Sequence, residues 1–287
     1  MEIQPDAETA NVIDKGGGQR SFVRKLNVEV LSWNICGIYT KLNNADFIHY
    51  LLAFEIICLQ ETWCLECNDI QHILPGYFCY FCPAKKSLKA GRNMGGVAIF
   101  IKDYLSQYIS RVCEDFIYGI LIVIDKGIFC PDKQILLVSL YNPPQGSPFY
   151  TDKTVSGLSE FETLLCNSEY NLQAYELLLC GNLNARTVFA QLESIFENDV
   201  NTMRISKDNT VNAVGKFLLQ FCITYSLCIV NGRVGSDKGV GDFTYYGGIG
   251  SSVVDYFICS HSMYEICNNF KVDANPESDH MPLVLCL

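Results

Sequence analysis

"LLLCGNLNAR", Leu177 to Arg186, is an apolar run that breaks at Gly181 and releases two amides, Asn182 and Asn184. Consecutive apolar residues closed by a glycine suit a buried strand. The polar pair after them falls where such a strand reaches the surface. The same plan recurs on both sides. Asn34 ends the strand "VEVLSWNI", Glu61 ends "EIICLQE" and Tyr141 ends "QILLVSLY". Asp255 lies in "SSVVDYFICS", and Asp279 and His280 precede the last run, "PLVLCL". Singly these are ordinary, because Asn and Asp at strand ends are common turn formers. Repeated, they describe apolar strands that hand polar side chains to one shared rim.

Between these runs lie further strands, "GGVAIFI", "YGILIVI" and "LCIVNG", and a helix in "ADFIHYLLAF". Val214, Phe217, Leu218 and Phe221 are spaced as on one helix face, with Asn212 placed to cap it. Strands mixed with helices throughout predict a layered α/β fold. Residues 1–26, polar and carrying Gly16, Gly17 and Gly18, read as a flexible tail, and 27–287 as one domain.

The chain has 287 residues, 49% hydrophobic and 18% charged. A domain of this size buries roughly 75% of the surface its unfolded chain exposes. No apolar run reaches the ~18 residues that span a membrane. The N-terminus, with Glu2, Asp6 and Glu8, has no apolar segment of the secretory type. An intracellular protein that avoids membranes is therefore expected. The net charge of −10 argues against tight DNA binding, although local fields matter more than the sum. Its one dense basic stretch, Lys85, Lys86, Lys89 and Arg92, reads either as a solvated loop or as a phosphate-contacting one.

Fifteen cysteines sit mostly inside apolar runs, where a thiol behaves as a small hydrophobe. An odd count without a secretory segment points to reduced core cysteines. Two CxxC pairs, Cys64/Cys67 and Cys79/Cys82, raise the possibility of zinc. The second pair lies in the strand-like "GYFCYFC", where positions three apart face opposite sides, so a shared site is not expected.

The rim residues have a chemistry in common. Glu61 and Asp279 are hard oxygen donors suited to Mg²⁺. His280, oriented by Asp255, would be a fixed donor to a phosphoryl oxygen. Asn34 and Asn184 add neutral amide contacts, and Tyr141 adds a phenol. Together they fit metal-assisted phosphodiester hydrolysis.

The ordered motifs "SWNICG", "LQETW", "GGVAIFI", "SLYNPP", "CGNLNAR", "VVDYF" and "SDHMPL" resemble the endonuclease/exonuclease/phosphatase superfamily. "GRNMGGVAIFI", "LYNPPQGSPFY" and "FTYYGGIGSSVVDYFICS" are most similar to the endonuclease domain of LINE-type (non-LTR) retrotransposons. The resemblance implies a four-layer sandwich of two mixed β-sheets flanked by helices, as in DNase I. It implies a Mg²⁺-dependent nick in DNA that leaves a 3′-hydroxyl, with Mn²⁺ as a possible substitute. It also implies a nuclear setting and a longer parent protein that contains a reverse transcriptase, while oligomeric state is left open. Carried over by position, Glu61 is a metal ligand with Asp279 near the metal, and Asn34 and Asn184 orient the site. Tyr141 contacts the phosphate, Thr244 and Ser278 line the DNA cleft, and Asp255 and His280 form the orienting pair.

The match breaks at Asn182, where the family pattern has the Asp taken to position and deprotonate the attacking water. An amide keeps the shape without the charge, and loss of a general base costs about 10²–10⁴ in rate. Cys36 stands where some relatives place a second acidic residue. Three accounts of Asn182 follow: a decayed or co-opted relic, an active variant with another base, or a deliberate inactivating substitution. The competing functions are a binding module for nucleic acid or protein that does not cleave, and a phosphatase acting on small phosphoesters.

Overall fold

Two parallel strand pairs form the centre of the molecule. The computed structural model describes residues 27–86, 91–113, 115–129, 133–150, 155–166, 169–188 and 203–287. The tail read at 1–26, and Lys89, lie outside the described residues.

In the first sheet β1 (Glu29–Asn34) runs parallel to β2 (Ile56–Gln60). Around this pair lie β3 (Tyr77–Cys82), β4 (Val97–Lys102), β13 (Asn269–Val272) and β14 (Leu283–Cys286), in the order β13-β14-β1-β2-β4-β3. In the second sheet β7 (Gln134–Tyr141) runs parallel to β8 (Tyr175–Asn182). Its other strands are β5 (Ile109–Cys113), β6 (Gly119–Ile124), β9 (Leu227–Ile229) and β12 (Asp255–Ser260), in the order β5-β6-β7-β8-β12-β9. A separate hairpin joins β10 (Tyr245–Gly247) to β11 (Gly250–Ser252).

The sheets pack face to face over Val30, Ile56, Cys58, Ile99, Leu137, Leu178, Cys180 and Phe257. The outer face of the first sheet is covered by α1 (Ala45–Leu51), whose Phe47 and Leu51 meet Leu31, Trp33 and Leu59. The outer face of the second is covered by α3 (Gly157–Cys166) and α4 (Ala213–Thr224) through Phe161, Leu165, Leu218 and Phe221. Two short helices, α2 (Asp103–Ser106) and α5 (His261–Glu265), complete the set among the described residues. The result is the four-layer sandwich of two mixed sheets that the sequence implies. α4 begins where expected, with Asn212 Oδ1 accepting from Gly215 N at 2.7 Å. Asn44 caps α1 in the same way.

One expected strand is in fact two. "SSVVDYFICS" leaves its ladder at Val253 and Val254, because the amides there are taken by side chains. Val253 N donates to Asp208 Oδ2 and Val254 N to Thr244 Oγ1, both at 3.0 Å. The cysteine prediction follows strand parity: Cys79 packs under the outer face of the first sheet and Cys82 between the sheets. All the described cysteines are free.

The floor between the sheets holds a polar bridge. Buried Gln60 on β2 donates through Nε2 to Ser139 Oγ on β7 at 3.0 Å and to Ser32 Oγ on β1 at 3.3 Å.

Candidate active site

Strand parity explains why distant residues meet. Side chains two apart share a face, so Val30, Ser32 and Asn34 point between the sheets, as do Ile56, Cys58 and Gln60. Leu137, Ser139 and Tyr141 do the same from β7, and Leu178, Cys180 and Asn182 from β8. Asn34 lies opposite Gln60 in register, and Asn182 lies between Tyr141 and Asp255. Each strand is apolar along this face until its last residues, which turn polar where the sandwich opens. Gly181 allows the end of β8 to form: its φ is +134°, and a Cβ there would stand 2.0 Å from Leu140 O.

The opening is a cleft of about 600 Å³, with Glu61, Tyr141, Asn182, Asn184, Asp279 and His280 in its lining. Asn34 and Asp255 are buried directly behind this wall. Asp255 Oδ2 lies 2.9 Å from His280 Nδ1, so the carboxylate holds that edge of the ring and not Nε2. Trp33 Nε1 donates to His280 O at 2.8 Å, and the Tyr245 ring packs on the imidazole at 4.7 Å between centroids. Burial lowers the His280 pKa, but the Asp255 carboxylate and its hydrogen bond, with Asp279 and Glu61, outweigh that and raise it. Tyr141 is held as the neutral phenol by burial and by the Glu61 carboxylate.

Asn182 is fixed by its neighbours. Its Oδ1 accepts from Asn184 N at 3.0 Å, and its Nδ2 faces the imidazole at 3.5 Å from both ring nitrogens. The backbone donor decides which way the amide points, so the edge turned to His280 carries hydrogens. Asn184 Nδ2 donates to Asn142 O, and Asn142 Nδ2 to Leu183 O. On the opposite wall Cys36 Sγ lies 3.0 Å from Asp279 Oδ1, and Asn34 Oδ1 accepts from Cys36 N at 3.1 Å. Asn34 Nδ2 is buried with no protein acceptor. Burial first, then Asp279 and Glu61, push the Cys36 thiol far up, so it keeps its proton.

Backbone strain concentrates here. Among the described residues, Cys36, Glu61, Trp63 and Asn184 all have positive φ, at 45°, 51°, 57° and 49°. Such conformations cost roughly 1–3 kcal/mol each and persist where surrounding contacts impose them. For Glu61 one such contact is its Oε2 accepting from Trp63 Nε1 at 3.1 Å.

Two of the residues predicted from sequence sit elsewhere. Thr244 is fully buried, its hydroxyl donating to Asp255 Oδ2 at 2.7 Å, so it braces the Asp255–His280 pair rather than facing the cleft. Ser278 is half-buried and donates to Asn34 O at 2.8 Å, tying the His280 loop to β1. Several lining residues were not singled out for the site: Trp63, Arg186, Asn212 and Tyr245. Arg92, from the basic stretch, stacks over the Trp63 ring at 4.4 Å on the cleft wall. Arg186 is aimed by a two-pronged pair with buried Asp208, at 2.8 and 2.7 Å. The "NAR" of the opening stretch carried that signal, but its partner is 22 residues away.

Comparison with known proteins agrees with this fold. A family profile described as "Endonuclease/Exonuclease/phosphatase family" matches residues 31–280. No curated protein matches the chain. Among solved structures, the AP endonuclease LMAP from Leishmania major superposes with a TM-score of 0.65 at 15% identity, covering 91% of this chain and 87% of that one. A 3′ phosphatase, NExo, from Neisseria bound to a product DNA hairpin gives 0.59 at 15% identity, covering 90% and 98%. The 3′-5′ exonuclease NExo from Neisseria meningitidis gives 0.59 at 16% identity, with the same coverage. At these identities the likeness establishes the fold. No helix among the described residues is long and apolar enough to cross a membrane.

Proposed function

The chain belongs to the Endonuclease/Exonuclease/phosphatase family, and from that premise we propose a DNA phosphodiesterase of the retrotransposon-endonuclease type, weakened in its hydrolytic step by Asn182. The observation that carries this reading is the orientation of that one amide. Its Oδ1 is committed to Asn184 N, and the edge turned to His280 is an N–H donor. A donor can hold a water but cannot take its proton. The missing base corresponds to about 10²–10⁴ in rate, roughly 3–5 kcal/mol of barrier.

The other groups have roles that need no change of place. His280, braced by Asp255, offers Nε2 to a phosphoryl oxygen, and Tyr141 offers its phenol proton. Asn34, buried behind the wall, orients the site by accepting from Cys36 N. Asn184 orients the scissile group. Thr244 and Ser278 act by holding Asp255 and the loop before β14. Glu61 and Asp279, carboxylates on one wall, fit a hard divalent cation, Mg²⁺ or Mn²⁺. When bound, that ion supplies charge stabilisation to the phosphate and the leaving oxygen. Arg92 and Arg186 place positive charge on the cleft wall of a chain whose net charge is −10, which favours a local rather than a global attraction for DNA.

Plasmid nicking with Mg²⁺ tests the reading. The chain is expected to nick weakly or not at all, and Asn182→Asp to nick readily and leave a 3′-hydroxyl. No nicking by either protein would sink it.

A further inference from the structure

Cys36, Asp279 and His280 form a second kind of site on the same wall. Their Sγ, carboxylate oxygen and ring nitrogen all lie within 4.8 Å of one another. In a tetrahedral zinc centre with bonds near 2.0–2.3 Å, ligand atoms stand about 3.3–3.8 Å apart. Small side-chain shifts therefore close the set. The imidazole is already oriented as a ligand, because Asp255 holds Nδ1, and the one polar contact given for Nε2 is the 3.5 Å approach of Asn182 Nδ2. The thiol is already paired with the second ligand, Cys36 Sγ to Asp279 Oδ1 at 3.0 Å.

We propose that Cys36, Asp279 and His280 bind a thiophilic divalent ion, zinc in the cell, with one coordination position left to water. On binding, the thiol proton now shared with Asp279 and any proton held on His280 Nε2 leave to solvent, and thiolate sulfur, carboxylate oxygen and the Nε2 lone pair bond to the ion. Magnesium does not compete well for such a set, because sulfur and imidazole are softer donors than it accepts. Zinc seated here occupies the imidazole edge that would meet the phosphate, so it acts as an inhibitor. That consequence rests on the phosphodiesterase reading above, whereas the ion site does not.

Cadmium, a spectroscopic stand-in for zinc, gives the test. Titrating the whole chain with Cd²⁺ should produce a thiolate-to-metal charge-transfer band that saturates at one tight equivalent. The other cysteines supply a weaker background, so Cys36→Ser provides the difference spectrum. The tight step should disappear in Cys36→Ser and in His280→Gln. In Asp255→Asn, where only the brace is lost, it should weaken about 10–100-fold. Thermal melts of each variant report whether the fold survives. A tight step unchanged in Cys36→Ser overturns the site. A step lost in Cys36→Ser but unaltered in a folded His280→Gln also overturns it, because a lone thiol would then be enough. The Asn182→Asp nicking assay, run in Mg²⁺ after chelation of heavier metals, fails or succeeds independently of these outcomes.

Discussion

The two walls of the cleft differ in what they retain. The first sheet contributes Cys36, Glu61 and Asp279, a wall of ionisable groups of which Cys36 and Glu61 stand on strained backbone. The second contributes Asn182 and Asn184, amides bonded to backbone groups, with the fully buried Asn142 behind them. Between them stands His280, carried on the loop before β14 of the first sheet and braced by Asp255 of the second. At Asn182 an amide holds its position through Oδ1 without the charge of a carboxylate.

The sharpest way to break this comparison is to restore that charge. Asn182→Asp should raise Mg²⁺-dependent nicking by about 10²–10⁴-fold. An increase below tenfold would mean the amide wall is displaced as well as neutral. In that restored background, His280→Ala should lower the nicking rate by about 10²–10³-fold, the usual cost of removing one fixed donor to developing charge. A small loss would move the imidazole out of the chemistry and leave it as a strut.

A third expectation concerns stability on the second sheet's side. Asp208 Oδ atoms accept from Arg186, Val253 N and Thr210 N while buried. Asp208→Asn should cost about 2 kcal/mol, in the range for hydrogen bonds to a charged group. Burial pushes the Asp208 pKa up, but Arg186 and the two backbone donors outweigh it and hold it below the ordinary value. That contribution is complete above the unfolded pKa of about 3.9. It is lost as pH falls through the depressed folded value. Denaturant melts should therefore show the gap between wild type and variant shrinking below about pH 4. A gap independent of pH would assign the effect to packing.

The smallest effect is expected at the cleft mouth. Arg92→Ala should weaken DNA binding by about 1 kcal/mol and reduce the salt slope by about one, as for a single phosphate contact. An unchanged slope would return this residue to the solvated-loop reading.

The sequence was most legible where one strand face carries both core and chemistry. Leu178, Cys180 and Asn182 follow a single period of two, so the apolar run that identifies β8 also aims its last side chain. α4 was equally plain, from Asn212 and the spacing after it. What could not be seen was long-range partnership. Thr244 has a residue type common in clefts, and only the position of Asp255 shows that its hydroxyl is already used. The break in "SSVVDYFICS" has the same cause, because Asp208 and Thr244 draw two amides out of the ladder. α3 went unread although Leu158, Phe161 and Leu165 are buried along it. Trp63 and Arg92 meet only because β2 and β4 are adjacent.

The buried Gln60 bridge has a mechanical consequence. Its amide rivets β2 to β7 at the floor of the cleft. Sliding one sheet past the other by a single residue, about 3.3 Å, would break that rivet inside the core. The stranded polar groups would cost roughly 1–3 kcal/mol each. Shear of the two jaws is therefore opposed at the floor of the cleft. Anything that enters between them must be admitted by the loops at the rim, which turns substrate entry into a property of loop length rather than of sheet motion.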